Sequence, residues 1–503
     1  MFRRLVCLAV LLCGWTSFRV ASAYGVIAVA ETKQRVGSLT SSDDNSRKLS
    51  PMLLATRDSG GAFLGTDAKD RAVFDLPDEP MFASLTASVA VARRPRELAT
   101  VATFDAIDAV EGLKPVRRLL LSYGAEPPSA AALGEIGLTI EEDYKPGKFV
   151  VVRAERIDGK LVSALERLPN LEYAAPQIRF RAVPPQDPRG QTAPPPLTSS
   201  TPPVDDPKWN DLWGLRNMNA TSAWSVTQGG DVVVAVIDTG VDYDHEDLKD
   251  NMWTNSHGHH GRDFVQNDDL PMDVYKHGTH CAGIIGAFAN NSKHVAGVNW
   301  RVKIMAVRWL DNHGHGNVAN AVKAIDYAID NGARIINASW YWHEHSVALE
   351  AAIKRARDKG VLFVTAAGNF ASSGNHDGDN DHVDTTPRYP SVYDASNIIS
   401  VASIDINNDK ASNSHYGRET VDLAAPGVGI RSTHPNHTTD FDSGTSMAAA
   451  HVSGAAALIL ARRPDKTMTE LKDLLLQNVR KIPAMTGKCV SEGTLDVSFV
   501  PGL

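Results

Sequence analysis

The 503-residue chain has only four cysteines, and two of them, Cys7 and Cys13, lie in an N-terminal apolar run. With Cys281 and Cys489 alone left beyond that run, a disulfide framework is excluded as the basis of the fold. Cys281 sits among small apolar residues in what reads as a buried helix, where a thiol behaves as a small hydrophobe, so both thiols are expected to be free. Basic charge is also scarce: 51 Lys and Arg against 59 Asp and Glu give a net charge of -8. No Lys/Arg stripe breaks that balance, and nucleic acid is not an expected partner. Beyond the N-terminus no apolar run approaches the roughly 20 residues that span a bilayer. The first residues combine Arg3 and Arg4, an apolar run over 5–15 and the small residues Ala21, Ser22 and Ala23. That is the pattern of a signal peptide, residues 1–23, cleaved after Ala23. It predicts a protein that is secreted or held in a secretory compartment, with no membrane span in the mature chain.

What is present, 43% hydrophobic residues over this length, can bury a large core and fill two or three domains. Residues 24–112 have mixed polarity, with Ser/Asp-rich patches such as Ser41-Ser42-Asp43-Asp44, and form an N-terminal extension to which no role is assigned. Over 113–183 strand-like runs at 119–122, 149–153 and 171–174 alternate with helix-like stretches at 130–136 and 160–168, and a tail follows at 178–180. This order suits a small ferredoxin-like α+β domain. Residues 184–205 are rich in Pro, Ser and Thr and read as an extended linker, a spacer and a protease-sensitive activation segment.

From 206 to 503, near-continuous β-branched runs at 232–237, 302–307, 335–338, 361–365 and 398–402 alternate with amphipathic helices at 317–330 and 347–359. The expectation is an α/β fold, a doubly wound and mostly parallel sheet with helices on both faces. In such sheets the ligand crevice lies at the carboxyl ends of the strands, where Asp238, Ser339 and Asn369 fall.

Acyl transfer on a serine needs a hydroxyl, an imidazole to take its proton, a carboxylate to hold the imidazole and donors for the oxyanion. Val236-Ile237-Asp238-Thr239-Gly240 puts a carboxylate at a strand end, and His277-Gly278-Thr279-His280 opens a helix of small residues. Gly444-Thr445-Ser446-Met447-Ala448 sets a serine at another helix N-terminus, where the dipole favours negative charge. Ala366-Ala367-Gly368-Asn369 ends a strand with an amide donor. Singly, each is weak, because a buried Asp, His or Ser is more often a capping or core residue. Together they resemble the signature blocks of the subtilisin-like serine proteases, the subtilases, whose chain order is Asp, His, Ser.

The resemblance runs from about 206 to 497 and implies a serine endopeptidase acting on protein substrates through an acyl-enzyme. It implies that Asp238 orients His277, that His277 is general base and then general acid, and that Ser446 is the nucleophile. Asn369 would stabilise the oxyanion together with the Ser446 backbone N–H. It also implies that Asn337-Ala338-Ser339 pairs with extended substrate backbone, that Leu423-Ala424-Ala425-Pro426-Gly427 is a structural loop, and that Tyr389-Pro390 is a cis-proline turn. The segment 149–180 is similar to the family's inhibitory propeptide, whose tail lies in the substrate cleft, so the chain is expected to be a self-processing zymogen inhibited by its own propeptide, and a monomer. Asp247 matches a calcium ligand and the loop containing Asn291 its partner loop, with Asp206 a third contributor; oxygen-rich loops suit this hard cation. An acidic loop carrying Asp377, Asp379, Asp381 and Asp384 is another cation candidate.

Two departures stand out. The proline that usually follows the serine motif is Ala450, which removes no reacting group. After Ser339, where the family commonly has a small residue followed by glycines, the chain reads Trp340-Tyr341-Trp342. Trp340, Tyr341 and Gly368 are therefore expected to wall a narrowed pocket, with Arg388 near its base, pointing inward or to solvent. A catalytically inactive binding protein on the same fold is the competing reading, drawn from these bulky residues and from Lys276 before the histidine. The tract His257, His259, His260 reads as a loop rather than a zinc site. His277 with His280 lacks the zincin spacing, and the Gly-x-Ser-x-Gly elbow of α/β-hydrolases is absent. Of the sequons at Asn219, Asn290, Asn337 and Asn436, that at Asn337 is expected to be buried.

Overall fold

The computed structural model describes residues 118–124, 126–154, 159–176, 179–181 and 203–503 except 344, 371–377 and 382–386, with the short strands Ser17–Ala21, Ile27–Glu31, Ala62–Thr66, Ala72–Asp75 and Val91–Ala92. The signal-peptide, N-terminal extension and linker readings fall largely outside these residues, as do Asp377 and Asp384. The chain divides into two compact units, Met1–Ile178 and Arg179–Leu503. Among the described residues no helix is long and apolar enough to cross a membrane.

In the first unit an antiparallel sheet runs Val91–Ala92, Leu171–Pro176, Arg118–Tyr123, Phe149–Ala154, Leu138–Tyr144, with helices Ala130–Glu135 and Gly159–Leu165 in the connections. Apart from the first strand this is the strand order of a ferredoxin-like sandwich. Leu119, Leu121, Val150 and Val152, alternate residues of neighbouring strands, meet Leu133, Leu161 and Leu165 of the helices in one core. Ser129 caps the first helix, accepting from Ala132 N at 3.1 Å. The strand Leu138–Tyr144 was not anticipated. Its sequence, LTIEEDY, carries three acids, and its outward-facing residues at the sheet edge tolerate them.

The second unit is built on a nine-stranded sheet ordered Gly261–Asp263, Arg301–Arg308, Gly229–Asp238, Ile335–Ala338, Leu362–Ala366, Ile398–Ile404, Leu423–Pro426, Gly493–Thr494, Arg480–Lys481. Every pairing is parallel except the last. All five anticipated runs are strands. The 423–427 segment, expected as a loop, is instead a strand inside the sheet, with Ala424 and Ala425 fully buried. Val234, Val236, Leu362, Val364, Ile399 and Val401 face one way, into a core shared with helices His277–Gly286 and Thr445–Arg462. Strand side chains alternate, so the intervening residues face the other layer, where helices Val318–Asp330 and Val347–Asp358 pack. Thr445–Arg462 is rich in alanine and lies across the strands from Gly229–Asp238 to Leu423–Pro426, which only small side chains permit. Cys281 and Cys489 are buried free thiols, and the Tyr389-Pro390 bond is cis.

Candidate active site

Asp238 ends the strand Gly229–Asp238, and its carboxylate has no solvent exposure. A buried charge of this kind is tolerable only when paired and hydrogen-bonded. Thr239 N donates to Oδ1 at 2.7 Å, and His277 Nδ1 lies 2.8 Å from Oδ1 and 2.9 Å from Oδ2. The helix His277–Gly286 can start this close because Gly278 has no side chain: a Cβ there would sit 2.0 Å from Gly240 O. Thr239 Oγ1 accepts from Gly278 N at 3.0 Å, and Asp273 accepts from both the backbone and the hydroxyl of Thr279. The imidazole is thus fixed in position and in tautomer. Burial opposes its charged form, but Asp238, with Asp442 and Asp273 further off, outweighs this and raises its pKa.

Ser446 is the second residue of helix Thr445–Arg462, so its hydroxyl stands at the positive end of the helix dipole. Its Oγ donates to Ser339 O at 3.0 Å, while Ser339 Oγ donates to Ser446 O at 2.9 Å. Asn337, buried as expected, donates to Ser339 Oγ at 3.0 Å and accepts from Ser453 Oγ at 2.9 Å, which locks the two segments together. His277 Nε2 is buried and has no hydrogen-bond partner. The serine hydroxyl is therefore turned to a carbonyl and not to the imidazole.

Asn369 follows the strand Leu362–Ala366, and its Oδ1 accepts from Thr445 N at 3.0 Å and Thr445 Oγ1 at 3.1 Å. Anchoring the amide by its oxygen turns Nδ2 the other way, beside Gly444. Gly444 has φ +153°, and a Cβ there would lie 2.9 Å from Nδ2. A carboxylate-held imidazole, a serine at the N-terminus of a helix packed on the one that His277 opens, and an amide oriented beside that serine are the groups that acyl transfer needs.

The pocket residues divide. Tyr341 reaches across the crevice, and its hydroxyl donates to Asn369 O at 2.6 Å. Arg388 points inward rather than to solvent and is 5% exposed, with its guanidinium carbon 5.4 Å above the Tyr341 ring and its Cγ against Gly368. Its Nη1 is already engaged by His343 Nδ1 at 2.8 Å and Pro387 O at 3.0 Å. Trp340 is a correction: its indole lies in the core, not the crevice, donating to Ile237 O at 2.8 Å and meeting Trp309 edge-on at 4.7 Å. Only its backbone can wall the cleft. Ile335–Ala338 is an interior strand, so backbone pairing from this segment begins beyond Ala338. A pairing the sequence did not announce is that of the strand Arg179–Arg181, which runs antiparallel to His315–Asn317, just before the helix that Asn317 caps.

Asp206 and Asp247 are buried and share one loop: Asn290 N donates to Asp206 at 2.8 Å and Val295 N to Asp247 at 3.0 Å. Burial, with Asp205 and Asp247 near, pushes the Asp206 carboxyl up to about 6. Two buried carboxylates bound to one loop, neither in an ion pair with Lys or Arg among the described residues, fit a cation. Asn291 fits differently from expectation, since it turns Nδ2 to Asp247 at 3.1 Å and uses its oxygen for Lys293 N. Asp379 and Asp381 are occupied in local turns, where Asp381 accepts from Glu419 and Thr420.

Residues 229–494 match the model of the subtilase family. The chain belongs to this family. A thermophilic serine proteinase from Bacillus sp. (strain AK1) is 37% identical over 356 residues, which cover 70% of this chain and 79% of that protein. Thermitase from Thermoactinomyces vulgaris is 41% identical over 250 residues, 50% of this chain and 82% of its own. Among solved structures fervidolysin from Fervidobacterium pennivorans, described as a keratinolytic enzyme related to subtilisin, superposes with a TM-score of 0.64 at 25% identity, over 78% of this chain and 62% of its own. This subtilase is accordingly a serine endopeptidase of subtilisin type.

Proposed function

We propose that Ser446 is the nucleophile of this peptidase, activated by His277, with Asp238 holding the imidazole and Asn369 Nδ2 and the Ser446 N–H receiving the oxyanion. The observation that carries the assignment is the buried His277–Asp238 pair beside a helix-borne serine. Attack on the peptide carbonyl transfers the Ser446 proton to His277 Nε2; the imidazolium then protonates the leaving amine, and water repeats the sequence on the acyl-enzyme. The Ser446–Ser339 hydrogen bond is exchanged for one to His277 as substrate enters.

Residues 113–183 are proposed as an inhibitory propeptide and 184–205 as the segment cut on activation. The pairing of Arg179–Arg181 with His315–Asn317 supports a tail lying along the substrate crevice. Residues 1–23 would direct secretion. Calcium would be held by Asp206 and Asp247, with backbone or water oxygens completing its shell, and would tie the loop at 290–295 to the chain near 206.

The competing reading, an inactive binding protein, draws on the closed pocket and the serine turned from His277. A fluorophosphonate probe, which needs an activated serine, decides between them: labelling of the processed protein, abolished by Ser446→Ala, supports the peptidase assignment. Absence of labelling in the processed protein overturns it.

A further inference from the structure

A second cluster lies one turn further along the helix that His277 opens, and apart from the charge of Asp442, which reaches His277, the peptidase mechanism makes no use of it. His280, His434 and Asp442 are buried, and each offers a ligand atom within 4.8 Å of the others. They come from the helix His277–Gly286 and from the two strands of a hairpin, Ile430–His434 and Thr438–Asp442.

His280 has the set-up of a metal ligand. Its Nε2 is 3.0 Å from Ile430 O, and its Nδ1 is buried with no hydrogen-bond partner. An N–H donated to a backbone carbonyl fixes the tautomer and leaves the other nitrogen as a lone pair, the way metal-bound imidazoles are oriented. A buried acceptor without a partner is a cost that a ligand would relieve.

The other two donors are held by a different cation. His434 Nε2 lies 3.1 Å from Asp442 Oδ2, and Lys276 Nζ donates to Asp442 Oδ1 at 2.8 Å. The Lys276 side chain is 35% exposed and that of His434 11%, so the cluster opens to solvent along these two residues.

We propose that His280, His434 and Asp442 form a site for a borderline-soft divalent transition metal, Zn2+ or Cu2+, which replaces Lys276 as the counter-charge of Asp442. Two imidazoles and one carboxylate suit such an ion and not Ca2+ or Mg2+. Zinc bonds of about 2.0–2.2 Å set tetrahedral ligands about 3.3 Å apart. The donors, now within 4.8 Å, must draw together, and partly exposed His434 on its hairpin is the one free to move. Water completes the shell. A dication and an ammonium repel across one carboxylate, so loading expels Lys276, which immediately precedes His277 and holds a φ of 120°. The metal therefore inhibits by displacing the residue next to His277 and by cancelling the Asp442 charge that reaches it. That consequence rests on the peptidase assignment, whereas the metal site does not.

The test uses the full chain carrying Ser446→Ala, stripped with chelator and titrated with CoCl2 and then ZnCl2. One equivalent of cobalt should give the visible bands of a four-coordinate N/O site, and zinc should abolish them. His434→Gln should weaken zinc by at least about 10- to 100-fold, the range that loss of a ligand's outer-shell partner alone costs, while Lys276→Met should tighten it several-fold by removing the resident cation. His257→Gln with His259→Gln should leave affinity unchanged. His280 is fully buried, so the partly exposed His434 carries the ligand test. Unchanged affinity in His434→Gln, loss in the His257/His259 variant, or no cobalt band would each overturn the site. Zinc inhibition of the unsubstituted protein that His434→Gln relieves supports the coupling. Failure of the protein to hydrolyse any peptide sinks the peptidase assignment but leaves the cobalt titration standing.

Discussion

Tyr341 Oη donates to the backbone carbonyl of Asn369 at 2.6 Å and so ties one wall of the crevice to the other. Arg388 stacks on the ring and is bonded to His343, so if these residues line the pocket for the side chain before the scissile bond, that pocket is narrow. Profiling on a peptide library should show poor cleavage after Phe, Tyr and Trp. Arg388 is already engaged, so acidic side chains should gain little from it. Tyr341→Gly should raise kcat/KM for aromatic substrates by about 10- to 200-fold, the range over which a pocket discriminates by size. A preference of the unsubstituted enzyme for aromatic residues would refute the plug.

Ser446→Ala should abolish hydrolysis and leave the full-length proform uncut in a purified system. Maturation of that variant would mean that another protease makes the cut. Asn369→Ala should lower kcat by about 10²- to 10³-fold with little change in KM, the magnitude known from loss of such a donor in subtilisin. A loss residing wholly in KM would contradict the oxyanion role.

His277 serves as a base only when neutral, and the carboxylates around it raise its pKa above the ordinary 6.5 despite its burial. As pH falls through that raised value the imidazole is protonated, so the acid limb of kcat/KM should lie above 6.5. A limb at or below the ordinary value in the free enzyme would contradict the Asp238 pairing.

Asp206 binds its proton up to about pH 6 in the folded chain, against an ordinary 3.8. The folded state then holds more protons at Asp206 than the unfolded one between these values, so in chelator the Asp206 contribution to stability, read as the difference from Asp206→Asn, should be full below 3.8 and be lost as pH rises to about 6. Calcium should restore it above that range and raise the melting temperature with concentration, because it binds only the folded loop. Asp206→Asn should remove the decline, and Asp247→Asn should flatten the calcium dependence. Identical melting curves in chelator and millimolar calcium at neutral pH would exclude the ion.

Strands covered on both faces are almost continuously apolar, which is why 232–237 or 398–402 could be read directly from the chain. Leu138–Tyr144 escaped because an edge strand with one wet face admits Glu and Asp, and Leu423–Pro426 because it is four residues long and ends in proline. The motifs holding Asp238, His277, Asn369 and Ser446 are local and carry their own geometry. The contacts around them do not: Lys276 meets Asp442 across 166 positions, and Tyr341 meets Asn369 through one rotamer choice. The indole of Trp340 went to the core because its strand side has room between Trp309 and Phe363, a fact of packing that no motif encodes.

The large sheet ends in three residues, Gly261–Asp263, on one side and in two, Arg480–Lys481, on the other. Open edges are where foreign strands add and fibrils begin. These borders offer a short ladder, and the side chains of one of them, Arg480 and Lys481, are already bonded within the protein, to Asn217 and Asn408 and to Ser491 O. At either of these two borders a released peptide would find only two or three residues of backbone to pair with.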